Sequence, residues 1–157
     1  MILGVWLLKE GQRGVLELVF FLLIRRPPRS TLVPATTLFR SLYRLGCEGE
    51  LEVAYCAGDV AQAFTQAVRQ AGVQPCMDVF SPLGQTITAK AWRTRERQSC
   101  PSYALDPQTH VWHEIAEAFD VRSGLSVPIR QPGGQTAAAL TVLGASPNQF
   151  ESLLMQP

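Results

Sequence analysis

From Ser81 to Leu143 the chain alternates helix openings with strands, and this pattern leaves little choice of architecture. Ser81-Pro82 and Asp106-Pro107 each join a helix-capping side chain to a proline at the first helical position, where a missing N–H costs nothing. A strand follows each opening. Gln98 to Tyr103 comes after the first, with Pro101 marking an edge position or a bulge. Leu125, Val127 and Ile129, alternating with Ser126, Pro128 and Arg130, come after the second. Gln131-Pro132-Gly133-Gly134 then turns the chain into a returning strand, Thr136 to Leu143. Two short helices threaded between the strands of one sheet predict a mixed α/β (α+β) domain with an antiparallel central sheet flanked by helices.

The residues upstream extend the same plan. Leu42–Leu45 and Leu51–Ala57 flank the turn Gly46-Cys47-Glu48-Gly49-Glu50, a hairpin signal, and Leu51, Val53 and Tyr55 alternate with polar neighbours. Asp59 is placed to cap a helix running to Ala71, stopped by Gly72, with Val60, Phe64, Val68 and Ala71 on one stripe. Gln74 to Val79 reads as either a short strand or a loop, and Pro75 argues against the strand. The Ser81-Pro82 helix is expected to reach Arg93, with Gly84 allowing a close backbone approach. In the Asp106-Pro107 helix, Val111, Ile115, Ala118 and Phe119 form the apolar stripe, with Trp112 and Ala116 beside it.

At 157 residues, 46% hydrophobic and 17% charged, the chain is one domain's worth of globular sequence. Its net charge of +1 argues against a dedicated nucleic-acid surface but hides an asymmetry. Residues 1–41 hold six Lys/Arg less two Asp/Glu, +4; residues 42–157 hold eight less eleven, −3. Two apolar bursts in residues 1–24 are interrupted by charge and too short to span a bilayer, and the basic residues follow the apolar run, unlike a signal peptide. Cys47, Cys56, Cys76 and Cys100 contain no Cys-x-x-Cys pair, so neither a zinc site nor a disulfide framework is implied, and reduced structural thiols are expected.

Phe20 to Ser41, F-F-L-L-I-R-R-P-P-R-S-T-L-V-P-A-T-T-L-F-R-S, closely resembles the translation of a sequencing adapter, and its prolines with no apolar period suit no regular element. We therefore expect residues 1–41 to be a non-native or disordered segment. The alternative is a basic, proline-containing arm at a membrane surface.

Trp92-Arg93-Thr94, Asp106-Pro107, Trp112, Arg122-Ser123 and Val127-Pro128-Ile129, in that order, resemble a GAF domain of the kind found in bacterial cyclic-di-GMP proteins with GGDEF or EAL outputs. The resemblance covers residues 42–155. It implies a GAF-like sheet over residues 42–157, with the family's opening helix missing and its closing helix truncated, and a cytoplasmic sensory role. Arg122 to Arg130 with Pro132-Gly133-Gly134 also resembles the autoinducer-binding domain of LuxR-type regulators, but Trp92-Arg93-Thr94 upstream fits the GAF order. The implied partners are an unidentified small molecule, an output domain in the same parent chain and a second copy of the chain; neither nucleic acid nor a membrane span is expected. The candidate pocket residues are Trp92, Cys100, Tyr103, Trp112, His113 and Ser123.

No Ser-His-Asp order, phosphate loop, dinucleotide fingerprint or kinase signature occurs, nor do GGDEF or EAL catalytic motifs, so this chain is expected not to be an enzyme. Two further readings stay open. The domain is a dimerisation module whose pocket is filled by its own side chains, or, like some stand-alone GAF proteins, a free methionine sulfoxide reductase, which requires an activated cysteine thiolate. His110 and His113 lack the further ligands of a metal site. Haem is the one cofactor considered, and it would rest on a buried His113 beside an apolar cavity.

Overall fold

The computed structural model describes residues 37–151. Five antiparallel strands lie in the order β2-β1-β5-β4-β3. β1 (Thr37–Leu45) and β2 (Leu51–Ala57) form the expected hairpin, with Tyr43 opposite Val53 and Leu45 opposite Leu51. β1 starts at Thr37, earlier than the expected Leu42. Phe39, Ser41 and Tyr43 are buried on one face while Leu42 is buried on the other, the period-two pattern of a strand covered on both sides. The adapter-like stretch is therefore described only from Thr37 onward; the apolar bursts of residues 1–24 lie outside the described residues.

α1 (Ala61–Gln70) buries Ala61, Phe64 and Val68. Asp59 does not cap it: Val60 occupies the cap position without a side-chain bond, and Ala61 N–H reaches the Gly58 carbonyl instead. Ala71 falls outside the buried stripe, because the helix has already closed on Gly72 at φ +68°. The following segment is a loop. It is tied to the β1–β2 hairpin through the Glu50–Cys76 bridge, the Leu51 N–H to Pro75 carbonyl bond of 2.7 Å and the Met77 N–H to Gly49 carbonyl bond of 2.8 Å, and Met77 packs against the cluster of Tyr43 and Leu51.

The helix expected from Pro82 to Arg93 is two helices. A 3-10 turn, Pro82–Gln85, is capped by Ser81, whose Oγ accepts from Leu83 N–H. Thr86 then goes extended (ψ 153°) and caps α2 (Ile87–Thr94) by accepting from Ala89 N–H at 3.0 Å. A threonine hydroxyl that can take an orphan N–H makes the break inexpensive. Gly84 is required in the turn, since a Cβ there would overlap the Asp78 carbonyl.

β3 (Gln98–Cys100) is a short edge strand ended by Pro101. Asp106 accepts from Gln108 N–H at 2.9 Å and caps a 3-10 turn, Pro107–Trp112, continued as α3 (His113–Ala118). β4 (Ser123–Arg130) and β5 (Thr136–Gly144) pair antiparallel across the predicted Gln131–Gly134 turn, where Gly134 adopts φ +79°. All three helices contribute to one sheet face, on which Phe39, Phe64, Ile87, Trp112 and Leu143 form the main core. On the opposite face Phe150 packs against Leu125 and Val142. The expected missing opening helix and shortened closing helix fall on residues outside those described. Among the described residues no helix is long and apolar enough to cross a membrane.

Candidate functional site

Strand register builds a row of hydroxyls across the middle of the helix-covered face. Ser41 on β1 stands opposite Thr141 on β5, which stands opposite Ser126 on β4, and all three are buried. Thr141 Oγ1 donates to Ser126 Oγ at 3.0 Å, and Thr88 Oγ1 of α2 meets Thr141 Oγ1 at 2.8 Å from above. Ser41 Oγ is buried with no hydrogen-bond partner. This is unusual for a buried polar atom.

Beside this row lies a cavity of about 30 Å³ between sheet and helices. Its apolar wall includes Phe64, Val68, Ile87, Trp112 and Leu143; its polar lining includes Tyr43, Tyr103, Thr86, Thr88, Thr109 and Thr141. Gly124 is what lets the wall close, for a Cβ there would press on Leu143, Ile87 and Tyr103. Trp112 is fixed by its indole N–H, which donates to the Val73 carbonyl at 2.8 Å. Thr109 Oγ1 donates to the carbonyls of Tyr103 and Asp106, at 2.7 and 2.8 Å, tying the loop before the 3-10 turn to the turn itself.

Burial pushes the Tyr43 phenol up to about 12, with the nearby Cys56 adding to it. Tyr103 is pushed up further by burial, with Cys100, Tyr43 and Asp106 adding to it. Both phenols are therefore neutral donors at physiological pH. The Cys100 thiol is fully buried and pushed up to about 12, first by burial and then by the Asp106 carboxylate beside it. A thiol so held is protonated and poorly nucleophilic.

Of the six candidate residues, the structure brings Tyr103 and Trp112 to the cavity. Cys100 lies in the same core cluster without lining it. Trp92 is half-buried in a neighbouring cluster with Tyr43, Leu51, Ala89 and Ala139. His113 stands behind the lining, its Nε2 3.2 Å from Thr109 Oγ1. Ser123 sits apart: alternation in β4 turns Gly124 toward the cavity and Ser123 away, where its Oγ donates to the Ser146 carbonyl. Sequence reasoning missed the hydroxyls of Ser41, Thr88, Thr109, Ser126 and Thr141. A half-buried His113 and a cavity of about 30 Å³ do not fit a haem. No group of three or more metal-ligating side chains occurs among the described residues.

A family model described as "GAF domain" matches residues 33–154. No curated protein sequence matches this chain. Among solved structures, one reported as the structure of the GAF domain is 17% identical with TM-score 0.52, covering 74% of this chain and 55% of its own. The type II free methionine-R-sulfoxide reductase of Thermoplasma acidophilum is 14% identical with TM-score 0.53, covering 76% of this chain and 71% of its own. A Burkholderia vietnamiensis protein named for a GAF sensor is 16% identical with TM-score 0.51, covering 76% and 61%. The chain thus spans less than two thirds of the length of two of these neighbours.

These neighbours correct one expectation. Missing hydrolase, kinase and cyclase motifs led to the expectation that the chain is not an enzyme, yet free methionine-R-sulfoxide reductases share its fold, so an enzyme is possible. One architecture supports both sensing and catalysis, and motifs borrowed from other folds do not test for the latter.

Proposed function

Because this chain belongs to the GAF domain family, we propose that it is a sensory domain that binds a small molecule between its sheet and the helices above it. The observation that carries the reading is the cavity itself. It has an apolar wall anchored by Trp112 and a polar lining rich in hydroxyls, those of Tyr43 and Tyr103 among them. Occupation would favour one packing of α2 on β5 over another, a population shift that a fused domain can read.

The finer parts of the proposal rest on the resemblance of residues 42–155 to GAF domains of cyclic-di-GMP proteins. We take residues 42–157 as the sensory unit, with β1 reaching back to Thr37, inside a bacterial cytoplasmic signalling protein whose output is a GGDEF or EAL domain and which pairs with a second copy. The adapter resemblance of residues 20–41 we take as the mark of a non-native segment, although its last five residues, Thr37 to Ser41, stand in β1, and resequencing the locus across these codons tests this. The sensory reading is tested by unfolding the chain in the presence of fractionated small-molecule extracts. A ligand at about 100 times its Kd adds roughly 2.7 kcal/mol of stability. A fraction that raises the unfolding midpoint supports the reading; extracts that leave it unmoved at every concentration contradict it.

A further inference from the structure

We propose that the groove between the Pro82–Gln85 and Pro107–Trp112 turns docks a basic, apolar peptide segment of a protein partner. Phe80 and Leu105 make its apolar contacts, and Asp78 and Asp106 its charge contacts. The groove shares no lining residue with the cavity, so the inference does not depend on the sensory reading.

Exposure comes first. Phe80 is 95% exposed and Leu105 83%, more than any other large apolar side chain among the described residues, and Val79 beside Phe80 is half-exposed. They are not scattered. The two turns pack against each other, and between them lies an open groove of about 300 Å³ with a largely apolar lining that includes Phe80, Pro82, Pro107 and His110. Leu105 stands in the loop that leads into Pro107. Single exposed apolar side chains are ordinary, but a cluster of them around a concave surface marks a place where another molecule binds.

The loop that carries Phe80 is built to hold it outward. Phe80 N–H donates to Asp78 Oδ1 at 2.9 Å, Gln85 Nε2 donates to the Val79 carbonyl at 2.6 Å, and Gly84 lets the turn close on the Asp78 carbonyl. On the other wall His110 Nδ1 donates to the Pro107 carbonyl at 2.9 Å. A contact surface fixed in advance loses less freedom when a partner arrives.

Charge decides the partner. The two segments that form the groove, residues 78–85 and 105–110, hold the carboxylates of Asp78 and Asp106 and neither lysine nor arginine. Each carboxylate caps its turn through one oxygen, on the N–H of Phe80 and of Gln108, and keeps a second oxygen for another donor. Lys90 reaches in from α2, where its ammonium is held by Gln108 Oε1. The rim is thus acidic on balance, like residues 42–157 as a whole. An anionic lipid surface would be repelled, and a second copy related by a two-fold axis would bring the same carboxylates against their equivalents. A segment that sets lysine or arginine beside leucine, isoleucine or phenylalanine meets both the apolar floor and the acidic rim.

The full chain is used to select from a random dodecapeptide library displayed on phage, and the selected peptides are titrated against it and its variants by fluorescence anisotropy. Phe80→Ser combined with Leu105→Ser removes exposed apolar surface and leaves the core untouched. Asp78→Asn and Asp106→Asn remove charge but keep the oxygen that accepts from the backbone, so both turns keep their caps. We expect the selected peptides to carry lysine or arginine beside leucine, isoleucine or phenylalanine. The combined serine variant should weaken them at least tenfold, and each asparagine variant about two- to fivefold at low salt. A library that yields no binding peptide, selected peptides that are acidic, or binding that the serine variant leaves unchanged overturns the proposal. So does Phe80-dependent binding to phosphatidylglycerol vesicles or Phe80-dependent dimerisation in sedimentation, which would give the groove to a lipid surface or to a second copy. None of these outcomes bears on the sensory reading, which the extract measurement decides.

Discussion

Thr88 Oγ1 on α2 lies 2.8 Å from Thr141 Oγ1 on β5, and this single contact joins the helix over the cavity to the central hydroxyl row of the sheet. Because Thr141 also donates to Ser126, one side chain stitches three elements together in a buried site. Its removal strands two hydroxyls.

Thr141→Val is therefore expected to destabilise the fold by about 1–3 kcal/mol, the cost of leaving buried partners unsatisfied. The denaturant midpoint should fall with an unchanged slope. In a double-mutant cycle with Thr88→Val the two changes should be non-additive by more than about 0.5 kcal/mol. Simple additivity would mean that the contact does no structural work.

Phe39→Ala should cost about 3–5 kcal/mol, the range for truncating a buried aromatic side chain. Phe39 is 2% exposed and its ring centroid lies 4.7 Å from that of Phe64. Equilibrium unfolding measures the cost. A loss below about 1 kcal/mol would show that the start of β1 is not part of the working fold, whereas a large loss means that any residue standing at this position must be apolar.

Thiol reactivity should rank by surroundings. Cys47 is exposed and Cys56 and Cys76 are half-buried, while Cys100 is fully buried and held protonated. With 5,5′-dithiobis(2-nitrobenzoate), Cys47 should react first and Cys100 only on unfolding. Any reductase chemistry in this chain would then have to use the other three cysteines. Fast labelling of Cys100 in the folded chain would contradict the buried site.

Alkaline stability follows from the same groups. Cys100 rises from 9.0 to about 12 and Tyr43 from 10.0 to about 12, so in each case the folded state holds its proton where the unfolded chain has lost it. Their stabilisation is fully present below about pH 9 and is lost as pH rises toward about 12. Unfolding midpoints should decline from about pH 9 upward, and Cys100→Ala should delay the onset toward about pH 10, where Tyr43 takes over. An unchanged onset in the variant would contradict the assignment.

Much of this architecture is legible in sequence because its signals are local. The hairpins, the Asp106-Pro107 start and the Gln131–Gly134 turn each depend on a few adjacent residues. The break at Thr86 was not legible, since Leu83, Ile87 and Trp92 keep close to helical spacing straight across it. The hydroxyl row was hidden for another reason. Ser41, Thr88, Ser126 and Thr141 are far apart in sequence and meet only through strand register and helix placement, which no period reveals. Tyr103 and Trp112 could be singled out because large aromatics beside a helix start must pack somewhere central. Ser123 was singled out beside Gly124 without knowing which face β4 would turn inward.

The most direct measurement of the central claim is native mass spectrometry of the full chain purified from bacterial cells, followed by denaturation of the same sample. The account predicts a species heavier than the chain by one small molecule, lost on denaturation and restored when the released molecule is added back. A chain that shows its own mass alone in every preparation, and that no released or added small molecule makes heavier, would contradict it.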